Sequence, residues 1–263
     1  MMNGAEPELS NLHACLTFVR LQESGDWDKV ERLARAGGVD GWLLYGAVDD
    51  KVVNQLKPGK LPYVILGDHQ CSRPVPAVNV DSFAVGQMAV RHLASLGHRR
   101  IAFLGSNMRY VYERETLAGF RAAVKELILD DDERLIGDLS SWSDRTAERL
   151  VEWLRNADPM PSAVFASEYD WAPWTHIALK EAKIEVPEQI SILGYETASL
   201  TTRRENFTRI ELPMTEVGRR GALLLHRIAS GPGGETSETR IAASLIEGWS
   251  TSPPSGNEPR TTN

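Results

Sequence analysis

Residues 80–105, VDSFAVGQMAVRHLASLGHRRIAFLG, constrain the fold of this chain more than any other stretch. Val85, Met88, Ala89, Leu93 and Leu96 recur at the spacing of one helix face, whereas 101–104 is an apolar run too short for a helix and closed by Gly105. The segment therefore reads as helix, tight Gly97-His98 turn and buried strand, with an acidic residue, Asp81, at the head of the helix.

The remaining chain repeats that alternation. Short apolar runs at 14–19, 42–45, 63–66, 163–166 and 190–193 predict strands. Between them, helix faces are traced by Trp27, Val30, Leu33 and Ala34, by Leu117, Phe120, Val124 and Leu127, and by Leu150, Val151 and Leu154. Trp171, Trp174, Ala178 and Ala182 trace another, and Val217, Gly221, Leu224, Leu225 and Ile228 the last. Strands alternating with helices predict an α/β protein with parallel sheets. GPGG at 231–234 predicts a turn, 241–249 an extended segment, and 254–263, rich in Pro, Ser, Thr and Gly, a disordered tail. No internal repeat is evident.

Composition narrows the function. Lys and Arg number 29 against 36 acidic residues, a net charge of -7, and the only basic clusters are the pairs Arg99-Arg100, Arg203-Arg204 and Arg219-Arg220. An extended nucleic-acid surface needs clustered cations to neutralise phosphates, so these pairs read as solvated faces. Cys15 and Cys71 are isolated, which suggests neither a disulfide framework nor a zinc site and fits a reducing, cytoplasmic setting. The start, MMNGAEPELSN, lacks a basic, then apolar, secretory pattern, and no apolar run reaches membrane-spanning length. There is no GxSxG, HExxH, P-loop or dinucleotide fingerprint, and the acidic run 130–133 reads as a solvated loop rather than a metal loop. No catalytic residue, metal or cofactor is predicted, and the chain is not expected to be an enzyme.

The acidic residue, the "HL..LGH" helix end and the strand of 80–105 resemble the effector-binding core of the LacI/GalR family of bacterial transcription regulators. VDGWLL (39–44), LPYVILGD (61–68), LAGFRAAV (117–124), VPEQISILGYE (186–196) and FTRIELPMTEVGRRGALLL (207–225) match further family segments in the family's order. The resemblance covers most of 14–253. It implies two Rossmann-like lobes of the periplasmic binding protein type I fold. One comprises 10–106 with 212–238, the other 107–211 with 239–253, and the effector lies between them. It further implies a homodimer and a small effector, a sugar or similar polar metabolite. Operator DNA would be read only through a helix-turn-helix head, and no such helix pair is found in residues 1–40. The match begins at the family's second strand, 14–19, so the first βα unit is also missing. The absent strand lies inside the family's sheet, and its loss leaves neighbouring backbone groups unpaired. The natural chain is therefore expected to start upstream, or the first lobe to be poorly ordered or completed by a partner.

Open α/β sheets bind ligands at the carboxyl ends of their strands. Asp81, Glu168 and Glu196 each follow a predicted strand, where a carboxylate either accepts hydrogen bonds from a ligand or caps the next helix. Trp142 lies where the family often sets an aromatic against the effector, and it either stacks there or packs under its loop. Trp171 and Trp174 read as core or dimer contacts. Thr116 stands where many family members have an effector-clamping Arg, and Arg114, two residues earlier, is on another helix face. The family's Asn-Asp pair becomes Glu168-Tyr169, and the Asp of its "GYD" becomes Glu196. With these changes the usual sugar pattern does not carry over.

Three functions compete: the sensing and dimerising core of a regulator, with a functional or a degenerate pocket; a sugar-binding protein of a transporter, which predicts an export signal; and an enzyme, which predicts a catalytic motif. Neither prediction of the last two is met by the sequence.

Overall fold

In a computed structural model of the chain, residues 1–20, 27–46, 48–56, 61–105, 108–139, 147–168, 171–197, 206–231 and 237–255 are described, with the backbone alone at 196 and 197. They form two compact units, Met1–Val80 with Pro213–Ile241 and Asp81–Leu212 with Ala242–Asn263.

The first unit is built on four parallel strands: β1 (Trp42–Tyr45), β3 (Tyr63–Leu66), β5 (Ala77–Val80) and β11 (Glu238–Ile241), side by side in that order. Side chains alternate between the faces of a strand. Val64, Leu66 and Val78 pack with Val217, Leu224 and Leu225 of α8 (Met214–Ser230). Ile65 and Ala77 pack on the other face with Val48, Val53 and Val75. The first two of these belong to the short strand β2 (Val48–Asp49), which pairs with β4 (His69–Gln70), and to α3 (Asp50–Leu56). Helices α1 (Met2–Asn11) and α2 (Trp27–Arg35) complete the unit, and α1 lies across α8.

Residues 14–19 correct one expectation. They pair with no strand, and among the described residues no strand pairs with the outer edge of β1. A strand needs a neighbouring ladder as well as the right residues, and this segment has none. The helix ahead of it, α1, has no counterpart in the sequence reading either. It is polar and contains Pro7, which cannot donate in the helix ladder, yet it buries Gly4, Ala5 and Leu9.

The second unit holds a six-stranded sheet, β12 (Ser244–Ile246), β10 (Arg209–Leu212), β9 (Ser191–Thr197), β8 (Ala163–Ala166), β6 (Ile101–Gly105) and β7 (Ile136–Asp138) in spatial order. All pairings are parallel except β12 with β10. Helices α4 (Ser82–Ser95), α5 (Val111–Glu126), α6 (Ala147–Asn156) and α7 (Trp171–Glu181) pack about it. The predicted first crossing near Gly105 falls instead at Asp81, because α4 is packed on α5 and β6 is an interior strand of this sheet. The chain returns to the first unit at Pro213. Of the predicted tail, 256–263 lies outside the described residues.

Helices α4 and α5 meet through backbone. A Cβ on Gly86 would lie 1.9 Å from the Thr116 carbonyl oxygen, and one on Gly119 would lie 1.9 Å from that of Phe83. Each glycine of one helix thus seats a carbonyl of the other. The same device recurs in the first unit, where Gly4 seats the Thr215 carbonyl and Gly218 that of Met1.

The ends of α4, α5 and α7 share one geometry. The residue after the cap is left-handed at Gly97, Ile128 and Lys183, and the residue beyond it bonds back into the helix, His98 N–H to Leu93 O, Leu129 N–H to Val124 O and Ile184 N–H to Leu179 O. Glycine suits that conformation; the β-branched Ile128, with φ 52°, does not. The turn after α4 delivers His98 to a buried position. Its Nε2–H donates to the Ser252 carbonyl at 2.9 Å, with Ser191 Oγ at 3.1 Å, and its Nδ1 accepts from Ser162 Oγ at 2.9 Å. One imidazole thus ties α4 to the starts of β8 and β9 and to the segment after β12.

Burial, more than any neighbour, pushes the His98 pKa below its ordinary value, and the nearby His92 adds to it. The folded state therefore keeps His98 neutral while the unfolded chain takes up a proton near pH 6.5. Stability is full above that pH and falls as pH drops through it. Urea unfolding between about pH 7.5 and about pH 5 should show this loss, and His98→Asn should flatten the slope relative to the wild type. Gly86→Ala and Gly119→Ala should each cost about 2 kcal/mol or more and lower Tm by several degrees, since the obstructing atom is backbone and the helices must separate. Calorimetry checks this, and an unchanged Tm for both would refute the contact.

Candidate functional site

In the second unit the carboxyl ends of β6, β7, β8 and β9 lie together because the strands are parallel and adjacent. Ser167 and Glu168 come directly after β8, Asp138 ends β7, and the first turn of α5 brings Tyr112 and Glu113 to the same edge.

Two hydroxyl–carboxylate bonds join α5 to the end of β8. Ser167 Oγ–H donates to Glu113 Oε1 at 2.8 Å, and Tyr112 Oη–H donates to Glu168 Oε2 at 2.8 Å. Glu113 is 0% exposed, unusual for a carboxylate, and its oxygen fits only because β6 ends in glycine: a Cβ on Gly105 would lie 2.8 Å from Oε1. Ser167 is placed by its own N–H, which donates to the Leu104 carbonyl at 3.0 Å and so continues the β6–β8 ladder. Tyr110 stacks on Tyr112, ring centroids 5.6 Å apart and planes 17° from parallel, and Tyr110 is 45% exposed. The edge thus presents the half-buried Glu168 carboxylate and the exposed Tyr110 ring, with Glu113 buried beneath.

The structure places the residues singled out from sequence in different settings. Asp81 Oδ1 accepts from the Ala84 N–H at 3.0 Å and caps α4. Thr116 is 0% exposed, and its hydroxyl donates to the Tyr112 carbonyl at 2.8 Å, one turn back in α5. Arg114 is exposed and donates to the carbonyls of Met108 and Arg109 at 3.0 and 2.7 Å, holding the segment ahead of α5. Glu168 lies at the edge with Tyr112 as its donor. Glu196 is seen in backbone alone, beside Glu211 in the β9–β10 register. Trp142 and Tyr169 lie outside the described residues. Of the wider candidates, Trp171 and Trp174 pack against the second unit's core.

Sequence reasoning missed Glu113, Tyr112 and Ser167. A signal was present, because Tyr112 and Glu113 stand four and three residues before Thr116, each a helical neighbour of it, and Thr116 was already marked. Among the described residues no cluster of His, Cys, Asp and Glu could hold a metal ion, and no helix is long and apolar enough to cross a membrane.

Comparison with known proteins agrees with this architecture. The Periplasmic binding protein-like domain family matches residues 90–251. The chain belongs to that family. Within it, this chain is an effector-binding core of the LacI/GalR type, as its relatives and structural neighbours agree. The HTH-type transcriptional regulator CelR of Thermobifida fusca is 32% identical over 209 residues, covering 76% of this chain and 59% of CelR. Catabolite control protein A of Priestia megaterium is 27% identical over 185 residues, 68% of this chain and 55% of that protein. The chain thus spans little more than half the length of these curated relatives. Among solved structures, a LacI family transcriptional regulator from Enterococcus faecium with bound ribose superposes with a TM-score of 0.77 at 26% identity, over 96% of this chain and 93% of the other. A regulatory protein of LacI family from Chloroflexus aggregans shares the fold, with a TM-score of 0.82 at 23% identity over 95% and 90%. None of these four is named for an enzymatic activity.

Removing the Ser167 hydroxyl takes a donor from a fully buried carboxylate, and hydrogen bonds to charged groups contribute about 1.5–3 kcal/mol. Ser167→Ala is expected to lower the unfolding free energy by that order in urea titration. A loss under about 0.5 kcal/mol, the range of surface substitutions, would show that Glu113 does not depend on it.

Proposed function

We propose that the chain is the ligand-sensing and dimerising core of a LacI/GalR-type transcription regulator, and that its effector is a sugar or a similar polar, donor-rich metabolite. The observation that carries this reading is the carboxyl edge of the second unit, where the half-buried Glu168 is held by the Tyr112 hydroxyl beside an exposed aromatic face. Carboxylates accept hydrogen bonds from hydroxyl groups and repel phosphate or carboxylate ligands, which favours a neutral or cationic effector. The bound ribose in the Enterococcus faecium relative supports the sugar class. The residues proposed to take part are Asp81, Arg114, Trp142, Glu168, Tyr169 and Glu196, with Thr116 standing where the family resemblance implies an Arg.

Effector binding biases an equilibrium between arrangements of the protein, and that bias reaches operator DNA through a DNA-reading head outside the residues described. A homodimer is the expected assembly. On α7 and the segment after β12, Ile177 and Trp249 are 55% and 36% exposed, and Trp249 packs against His176 and Phe207, an apolar aromatic surface of the kind that homodimers cover. A cytoplasmic location is consistent with this role.

Thermal unfolding against a panel of sugars, purines and nucleosides tests the reading. A ligand at about 100 times its Kd stabilises the folded state by about 2.7 kcal/mol, a rise in Tm of several degrees. A shift with sugars is the expected result, and no shift with any class would refute an effector-binding role.

A further inference from the structure

Residues 250–255, STSPPS, lie across the amino end of β9 and are fastened there by hydroxyl groups and two histidines. Ser250 Oγ–H donates to the Ile192 carbonyl at 2.7 Å, its oxygen accepts from the Thr208 N–H at 3.0 Å, and its carbonyl takes the Ile192 N–H at 2.7 Å. Thr251 Oγ1 lies 2.9 Å from Thr208 Oγ1, and the Ser252 N–H donates to Ser191 Oγ at 3.0 Å. Ser255 Oγ–H donates to the Glu188 carbonyl. The Ser252 carbonyl takes the His98 Nε2–H at 2.9 Å. His92, in the last turn of α4, brings Nε2 to 3.3 Å from Thr251 Oγ1.

Of these fastenings only the imidazoles change charge between about pH 5 and pH 8. His98 is 1% exposed, and a proton on its engaged Nδ1 would leave a charge away from water. Its surroundings offer no counter-ion. The starts of β8 and β9 meet it with the hydroxyls of Ser162 and Ser191, and the nearest titratable group, His92, opposes its charging. Glu247, on the segment after β12, favours a charge on His92 instead. Beside the two histidines, Arg91 is taken up by Glu126, Arg100 by Asp130 and Asp132, and Arg99 is exposed. We propose that 250–255 is an acid-opened strap, closed on the neutral His98 and released when that imidazole takes up a proton. The strap is the part that yields, because β8 and β9 are each held in the sheet by a ladder on both sides. This response to pH is separate from the polar edge, which lies at the opposite ends of the same strands.

With an ordinary imidazole in the open form and a neutral one in the closed form, the open population rises about tenfold between about pH 7.5 and about pH 5.5. Amide hydrogen exchange read by NMR, divided by the intrinsic exchange rate at each pH, measures it. The N–H groups of Ile192, Thr208 and Ser252 bond across the strap and report its opening, whereas Ala102 and Leu104 of β6 report unfolding of the sheet. In the wild type the three strap amides should exchange faster than those of β6 and gain about tenfold at the lower pH. About 1 M urea should leave their rates unchanged while accelerating β6, because a local opening exposes little surface. His98→Gln, which offers an amide N–H to Ser252 and takes up no proton, should lose the tenfold rise. The proposal is overturned if the rise is absent, if it persists in His98→Gln, or if the strap amides follow β6 in urea. Should His98→Gln fail to fold, His92→Gln replaces it: the rise should survive with His98 intact, and its loss there overturns the assignment to His98.

Discussion

The second unit depends on the contact between α4 and α5, where two helices touch backbone to backbone. Helices normally pack about 8–10 Å apart because side chains intervene. Gly86 and Gly119 remove that spacer at two facing points, so each carbonyl sits against the other helix's main chain. This approach sets the α5 first turn over the carboxyl ends of the strands and fixes the direction in which α4 runs toward His98. Both the polar edge and the buried imidazole inherit their positions from two missing methyl groups. That the first unit solves the α1–α8 crossing in the same way, with Gly4 and Gly218, reveals a structural repeat which the sequence hides, because only two small residues and their phase along the helices are shared.

Polarity is handled differently at the two ends of the second unit's sheet. At the amino ends, His98 is neutral and engaged by serine hydroxyls and a carbonyl, a closed and buried arrangement. At the carboxyl ends, carboxylates meet hydroxyl donors, one pair buried and one half open. The first arrangement suits rigidity. The half-open pair suits exchange, because water hydroxyls use the same kind of bond as tyrosine.

The α4–turn–β6 segment was legible because its signals are local: a helix period, a glycine in the left-handed turn position and a short apolar run that is buried throughout. Residues 14–19 carry equally good strand chemistry and form no strand, since the deciding fact, a free neighbouring edge at hydrogen-bonding distance, is not local. α1 was invisible for the opposite reason: its polar composition and Pro7 argue against a helix, and its glycine contact with α8 outweighs them. Asp81 and Glu168 were readable from their positions after strands of the two sheets. Glu113 was not, because a charged residue in the first turn of a helix ordinarily points to water, and only the fold reveals that it is wholly buried beside Ser167. The capping role of Asp81 was one of the two readings its sequence position allowed.

At the far end of α5, Ile128 adopts a left-handed conformation with its side chain 86% exposed, so it gains little packing in return for its strain. The chain beyond Ile128 is unusually well tethered. The Asp130 N–H donates to the Arg99 carbonyl at 3.1 Å, and Arg100 bonds to Asp130, to Asp132 at 2.8 Å and to the carbonyls of Ala157 and Pro159. Arg134 and Arg100 together hold the Asp132 carboxyl far below the usual carboxylate range. The turn is therefore held from outside as well as by its own bond from the Leu129 N–H to the Val124 carbonyl. Excised as a peptide, 120–135 would lose this bend even if its helix survived.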